Sequence, residues 1–197
     1  MFCFKIIDSY KLNYDKSVLI VIDMIKGFTE VGNLSCSSIK KIAKDIRNEC
    51  DKFSNLVAIN DSHDKKDCEF NLYPEHCLEG SYESEFCDEL LDVEFTHIIN
   101  KNSTNGFFAS KFFEVFEEYI NNDFNFVVSG CCTDICILQF CLTFKGYLNS
   151  INKNLEIFIP INLIETYERE KDYKEKVVNA SMYLMSNMGI KLVKSLI

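Results

Sequence analysis

The chain alternates between short, continuous apolar runs and longer stretches with apolar residues at helical spacing. Ser17-Val18-Leu19-Ile20-Val21-Ile22-Asp23 is apolar almost throughout and ends in a carboxylate. Such a run predicts a strand buried on both faces. Residues 55–61, 96–101, 124–129, 155–161 and 190–193 predict further strands, and Pro160 near the end of the fifth predicts an edge position or an irregular exit. Between them lie helical patterns. Residues 35–53 carry Ile39, Ile42, Ala43 and Ile46 on one face. Residues 83–92 predict a short helix. Residues 108–121 predict one with Phe112, Phe113, Val115 and Phe116 turned inward. Residues 133–148 predict another, and 169–188 a long last helix with Val177, Val178, Met182, Leu184 and Met185, which Gly189 stops. Residues 24–34, 62–80 and 102–106 predict loops.

Strand and helix alternate with no repeat and no linker. The fold class is therefore α/β: a single domain over residues 1–197, in three α/β/α layers, around a mostly parallel sheet of roughly six strands. A chain of 197 residues suits one such core.

Composition narrows the function. The formal net charge is −9, and no basic cluster offsets it, which argues against nucleic-acid binding. The N-terminus lacks the pattern of a signal peptide, and no apolar run approaches the roughly 20 residues of a membrane span. A cytosolic protein with no membrane contact is expected. Ten cysteines is a high count for that compartment. Their spacing does not form a disulfide scaffold, and most should be small buried side chains.

The chemistry sits where strands end. In an open parallel sheet, ligands bind beyond the carboxyl ends of the strands. The first strand ends in Asp23, the second in Asp61 followed by His63, and the third in Lys101. The fourth breaks at Gly130-Cys131-Cys132 and passes Thr133 and Asp134 into a helix with Cys136 in its first turn. A thiol there faces free backbone N–H groups and the positive end of the helix dipole, which favour a thiolate. An Asp at a strand exit is often only a turn former, and a Lys there is usually solvated. Together on one edge they suit a nucleophile, its base and a cation that lowers the thiol pKa. The N–H groups of Cys132 and Cys136 are placed to hold an oxyanion. Such a group performs acyl transfer, most simply amide hydrolysis.

The polar loop after the second strand adds Asp61, His63, Glu69 and His76. Two of the chain's three histidines lie there with interleaved carboxylates. These donors suit one divalent ion: zinc, iron or manganese. Cys131, Cys132, Cys136 and Cys141 are spaced poorly for a tetrahedral site.

These residues resemble the isochorismatase-like cysteine hydrolases, and within them the nicotinamidase and pyrazinamidase group. The resemblance rests on Ile22-Asp23-Met24 with Phe28 following, Asp61-Ser62-His63, and Tyr73-Pro74-Glu75-His76-Cys77. Lys101 with Phe107, and Gly130 to Cys136, complete it. It implies a catalytic triad of Asp23, Lys101 and Cys136, and an oxyanion hole from the Cys132 and Cys136 amides. It also implies a cis peptide between Cys131 and Cys132. It implies a metal, zinc first, on Asp61, His63 and His76 with Glu69 added, and a substrate pocket that includes Phe28, Thr104 and Cys131. The implied reaction is hydrolysis of a small amide, nicotinamide, to nicotinate and ammonia through a thioester, as in NAD salvage. The alternatives are another small amide, or a silent binding protein of the same fold. Self-association is common in the group and implies a homo-oligomer, although the sequence itself carries no interface signal. The chain departs from the group's pattern in having no Trp, in Thr104 where several members carry Tyr, and in the Gly-Cys-Cys turn.

Overall fold

The computed structural model describes residues 3–168 and 172–197. The N-terminal end of the predicted last helix, 169–171, lies outside the described residues. Among the described residues, eight parallel strands form one sheet: β1 (Ile6–Ile7), β2 (Ser17–Ile22), β3 (Leu56–Asp61), β4 (His97–Lys101), β5 (Asn125–Cys131), β6 (Ile157–Pro160), β7 (Ile164–Glu165) and β8 (Lys191–Val193). Their order is β1-β8-β6-β5-β2-β3-β4, with β7 paired to β5. The two strands beyond the expected six, β1 and β7, have two residues each, too short to show a pattern.

Six α-helices among the described residues cover the sheet: α1 (Lys26–Thr29), α2 (Ser37–Lys40), α3 (Ala43–Cys50), α4 (Phe112–Asn121), α5 (Leu138–Ser150) and α6 (Tyr173–Asn187). Alternation along β2 divides the core. Val18, Ile20 and Ile22 pack on the face covered by α4, α5 and α6. Leu19 and Val21 pack on the face covered by α1 to α3. Three layers follow directly from a strand that is apolar on both sides. No described helix is long and apolar enough to cross a membrane.

Several local expectations change. The 35–53 helix is two helices, α2 and α3, broken at Lys41 and Ile42. The 83–92 stretch is two 3-10 turns, Tyr82–Ser84 and Asp88–Leu90. The 24–34 loop contains the buried helix α1. Phe113 does not face inward: it is 47% exposed, because α4 turns Phe112, Val115, Phe116 and Tyr119 to the core instead. Leu184 of α6 is also exposed. All ten cysteines are free.

The centre of the sheet positions the site. Chain order reverses between β2 and β5, with β3 and β4 on one side and β6 and β8 on the other. That is the switch point at which open α/β sheets bind ligands. Gly130 of β5 lies opposite Ile22 of β2. Its φ is +111°, and a Cβ there would come within 2.0 Å of the Ile22 carbonyl oxygen. Only glycine permits this approach, and it lets β5 turn sharply above the end of β2.

Candidate active site

Asp23 leaves β2 with φ +56°, a left-handed conformation that Asp tolerates better than most residues. Its N–H donates to the Ile59 carbonyl at 3.0 Å. Its carboxylate thereby turns toward β3, where Oδ1 accepts the Asp61 N–H at 2.8 Å. Lys101 ends β4 in register with Asp61. Its ammonium lies 2.9 Å from Asp23 Oδ2 and pairs closely with Asp61 Oδ1. It also lies 3.9 Å from Cys136 Sγ. Asp23, Asp61, Lys101 and Cys136 are all buried. Asp23 Oδ2 makes no aligned hydrogen bond, which leaves it able to accept a proton.

The electrostatics follow from burial. Burial, then the neighbouring Asp61 charge, pushes Asp23 up to about 6, against the opposing pull of Lys101. Burial works against ionisation of Asp61 too, but Lys101 and the two histidines hold it well below the usual carboxylate range. Burial opposes the Lys101 charge, yet Asp23 and Asp61 outweigh it and keep the ammonium firmly protonated. Burial also pushes the Cys136 thiol well up, and Lys101 only partly offsets this. The expected depressed thiol pKa is therefore not found. Two carboxylates and complete burial outweigh one ammonium, so the resting group is a thiol beside a carboxylate of raised pKa.

Cys136 does not sit in the first turn of an ordinary α-helix. It lies in a π-type turn, Thr133–Ile137, that runs into α5. Cys132 is the residue before that turn, and the Cys131–Cys132 peptide is cis, as the resemblance implied. Asp134 offers no cap to this turn. Its carboxylate accepts the Thr166 hydroxyl, and its Oδ2 accepts the Tyr173 hydroxyl at 3.3 Å.

The loop after β3 folds back through a bridge between His63 and Leu78. The His63 N–H donates to the Cys77 carbonyl at 3.0 Å, and the Glu79 N–H to the His63 carbonyl at 3.0 Å. This brings His76 beside His63, with ring centroids 4.7 Å apart. One donor atom from each of Asp61, His63, Glu69 and His76 lies within 4.8 Å of the others. His63 Nε2 is 3.7 Å from Asp61 Oδ1 and 4.0 Å from Glu69 Oε1, and His76 Nε2 is 3.4 Å from Asp61 Oδ2. Such separations fit ligands each about 2.1 Å from one ion. His63 Nε2 is buried without a hydrogen bond, an orphan that a metal would satisfy. Glu69 Oε2 accepts the Thr104 N–H at 2.9 Å, leaving Oε1 toward His63. The four residues form a site suited to a divalent ion. The third histidine, His97, is on β4 against Tyr119 and takes no part.

A cleft opens over Cys136 and the metal-type donors. Phe28, Thr104, Cys132 and Cys136 line it, together with the metal-site residues Asp61, Glu69 and His76. Phe28 meets His76 edge-on at 5.8 Å. Cys131 does not line it, contrary to expectation. Its side chain is fully buried and its thiol donates to the Asp23 carbonyl at 3.3 Å, under the floor of the cleft. Leu34, Tyr73, Ile135 and Tyr167 complete the wall. Tyr73 opens the Tyr73-Pro74-Glu75-His76-Cys77 motif. Tyr167 was missed because it follows the two-residue β7, where no pattern points to a site. Its hydroxyl donates to the Leu34 carbonyl at 2.9 Å.

A thiol backed by a carboxylate and a lysine, under a cleft whose wall carries Asp61, Glu69 and His76 of the donor cluster, is an arrangement suited to cysteine-based hydrolysis. The Isochorismatase domain model matches residues 17–147, which span β2 to most of α5. The chain belongs to the isochorismatase family. Among curated proteins it is similar to Nicotinamidase 1 of Arabidopsis thaliana, 29% identical over 177 residues, covering 80% of this chain and 70% of that one. Among solved structures it is similar to PnC1 from L. infantum in complex with nicotinate. That match has a TM-score of 0.80 and 17% identity, over 96% of this chain and 98% of that one. It is also similar to the pyrazinamidase of Pyrococcus horikoshii in complex with zinc. Here the TM-score is 0.72 and the identity 20%, over 91% and 99% of the two chains. At these identities the solved structures attest to the fold. As an isochorismatase-like hydrolase, the chain has a named relative that is a nicotinamidase.

Proposed function

We propose that this chain is a metal-dependent nicotinamidase, converting nicotinamide to nicotinate and ammonia in NAD salvage. The observation that carries the reading is that Cys136, with Asp23 and Lys101 behind it, faces the same cleft as Asp61, Glu69 and His76 of the cluster that His63 completes. A divalent ion on that cluster, zinc first, would supply a Lewis-acidic anchor for the ring nitrogen and so orient the carboxamide. Phe28 packs against the ring. Asp23, with its pKa raised to about 6, takes the Cys136 thiol proton as the sulfur attacks the carboxamide carbon. The Cys132 and Cys136 amides hold the oxyanion. Asp23 returns the proton to the leaving ammonia. It then acts as base for the water that hydrolyses the thioester. Lys101 keeps its charge throughout and holds Asp23 in place.

The test is ammonia release from nicotinamide by metal-loaded and chelator-stripped protein, beside a panel of other small amides. Turnover by the loaded form and its loss on stripping are expected. Failure of the loaded form to hydrolyse nicotinamide, while it hydrolyses another amide, would move the substrate assignment.

Metal loading should depend on pH in one direction. Burial opposes protonation of His63 and His76, but hydrogen bonds and charge from Asp61 outweigh it, and both rings are held above their ordinary range of about 6.5. A metal must displace those protons. Zinc affinity is therefore expected to rise as pH is raised through and above 6.5, with net proton release on binding. The same shift makes the metal-free protein lose stability over that rise. Chelator competition across pH checks the first, and melting curves of stripped protein check the second.

A further inference from the structure

Asp67 lies outside the cluster of metal-type donors, yet its carboxylate is aimed at one of them. Oδ2 is 3.0 Å from His63 Nδ1 and accepts the Asp64 N–H at 3.0 Å. Oδ1 accepts from the Asn102 side-chain amide at 3.4 Å. Asn102 directly follows Lys101, so Asp67 ties the metal loop to the end of β4. The other histidine is held differently. Its Nδ1 faces the Pro74 carbonyl, a neutral acceptor, at 2.8 Å. The Phe70 ring packs against both imidazoles, at 5.0 and 5.5 Å.

A neutral imidazole has one N–H and one lone pair. With a carboxylate on Nδ1, the proton sits there and the lone pair is on Nε2. His63 Nε2 is the buried nitrogen that has no hydrogen bond and faces Asp61 and Glu69. We infer that Asp67 is a positioning residue for the metal site: its carboxylate fixes the His63 tautomer and ring direction and strengthens Nε2 as a donor. This rests on the metal reading above. It adds that the two histidines are unequal ligands, one backed by a charge and the other by a peptide carbonyl. Outer partners of this kind typically change metal affinity 10–100-fold when altered.

Asp67→Asn separates charge from geometry. An Asn oxygen can still accept from His63 and from the Asp64 N–H, and the Asn102 amide can turn to offer its oxygen to the new NH2 group, so the charge beside His63 is the main loss. Stripped wild type and variant are titrated with zinc against a competing chelator. Each is then loaded with cobalt(II) and its visible spectrum recorded. The expected result is zinc binding weaker by about 10–100-fold in the variant, with shifted cobalt bands. Equal zinc affinity with identical cobalt spectra would overturn the inference. A second measurement needs no variant. In zinc-loaded wild type, nitrogen NMR of His63 should report the proton on Nδ1, and a proton on Nε2 would overturn it. Wild type that takes up neither zinc nor cobalt would sink the metal reading itself, a result seen before any variant is compared.

Discussion

Cys136→Ala is expected to lower ammonia release from nicotinamide by on the order of 10⁴-fold or more, with the fold intact. The size follows from the chemistry. Without the sulfur there is no covalent intermediate, and the remaining groups act as a unit that one deletion disables. The fold should survive because the change removes one small buried atom from a turn whose other bonds remain. The Thr166 and Tyr173 hydroxyls still hold Asp134, and Gly130 still sets the approach to β2. Cys132→Ala is the matching control, because Cys132 serves through its backbone. It keeps the nucleophile and should lower turnover far less. Steady-state ammonia assays on both variants, with melting curves, check this. A Cys136→Ala protein that turns over at the wild-type rate would remove the nucleophile from the account.

Lys101→Met should cost both activity and stability. The ammonium is fully buried between two buried carboxylates, 2.9 Å from Asp23 and closer still to Asp61. Removing one member of a buried ion group leaves the others uncompensated, a loss of about 3–5 kcal/mol. In a chain of this size that is a fall of roughly 6–20 °C in melting temperature for the metal-free protein. The loss should shrink as pH is lowered, because protonation of Asp23 and Asp61 relieves the unpaired charge. Turnover should fall with it, since Asp23 loses the contact that fixes its carboxylate beside the thiol. Melting curves of stripped protein at neutral and acidic pH, with ammonia assays on the loaded protein, check both parts. Wild-type stability at neutral pH would mean that the two carboxylates do not share the charge.

Much of this site was legible because the sheet writes itself into the sequence. The run 17–23 is apolar from Val18 up to its last residue, so Asp23 stands out, and the shorter apolar cores of 55–61 and 96–101 each give way to Asn and then to a charged residue, Asp61 and Lys101. In a parallel sheet those ends converge. Asp23, Asp61 and Lys101 could thus be placed together from order alone. His76 and Glu69 could be joined to His63 because all three lie in one polar loop.

What escaped depended on contacts between distant segments. Strands β1 and β7 are two residues long and exist only because β8 and β5 offer an edge. Tyr167 reaches the cleft from beyond β7, held near it by the Thr166 hydroxyl on Asp134 and by Ser38, whose hydroxyl donates to the Thr166 carbonyl at 3.0 Å. No local pattern encodes that. Cys131 looked like pocket lining from its place beside Cys132. It is the last residue of β5, fully buried, and its thiol is turned to the Asp23 carbonyl. The thiol pKa was misjudged for a related reason. Proximity to a helix start and a lysine can be read in sequence, but complete burial beside two carboxylates cannot.

The central claim is a thioester on Cys136 formed from nicotinamide. Metal-loaded wild type is mixed with nicotinamide, quenched in acid at times within the first turnover, digested and analysed by mass spectrometry. The account predicts a nicotinoyl group on the peptide carrying Cys136, appearing before free nicotinate and absent from Cys136→Ala. Wild type that releases ammonia from nicotinamide with no acyl group on that peptide at any quench time would contradict it.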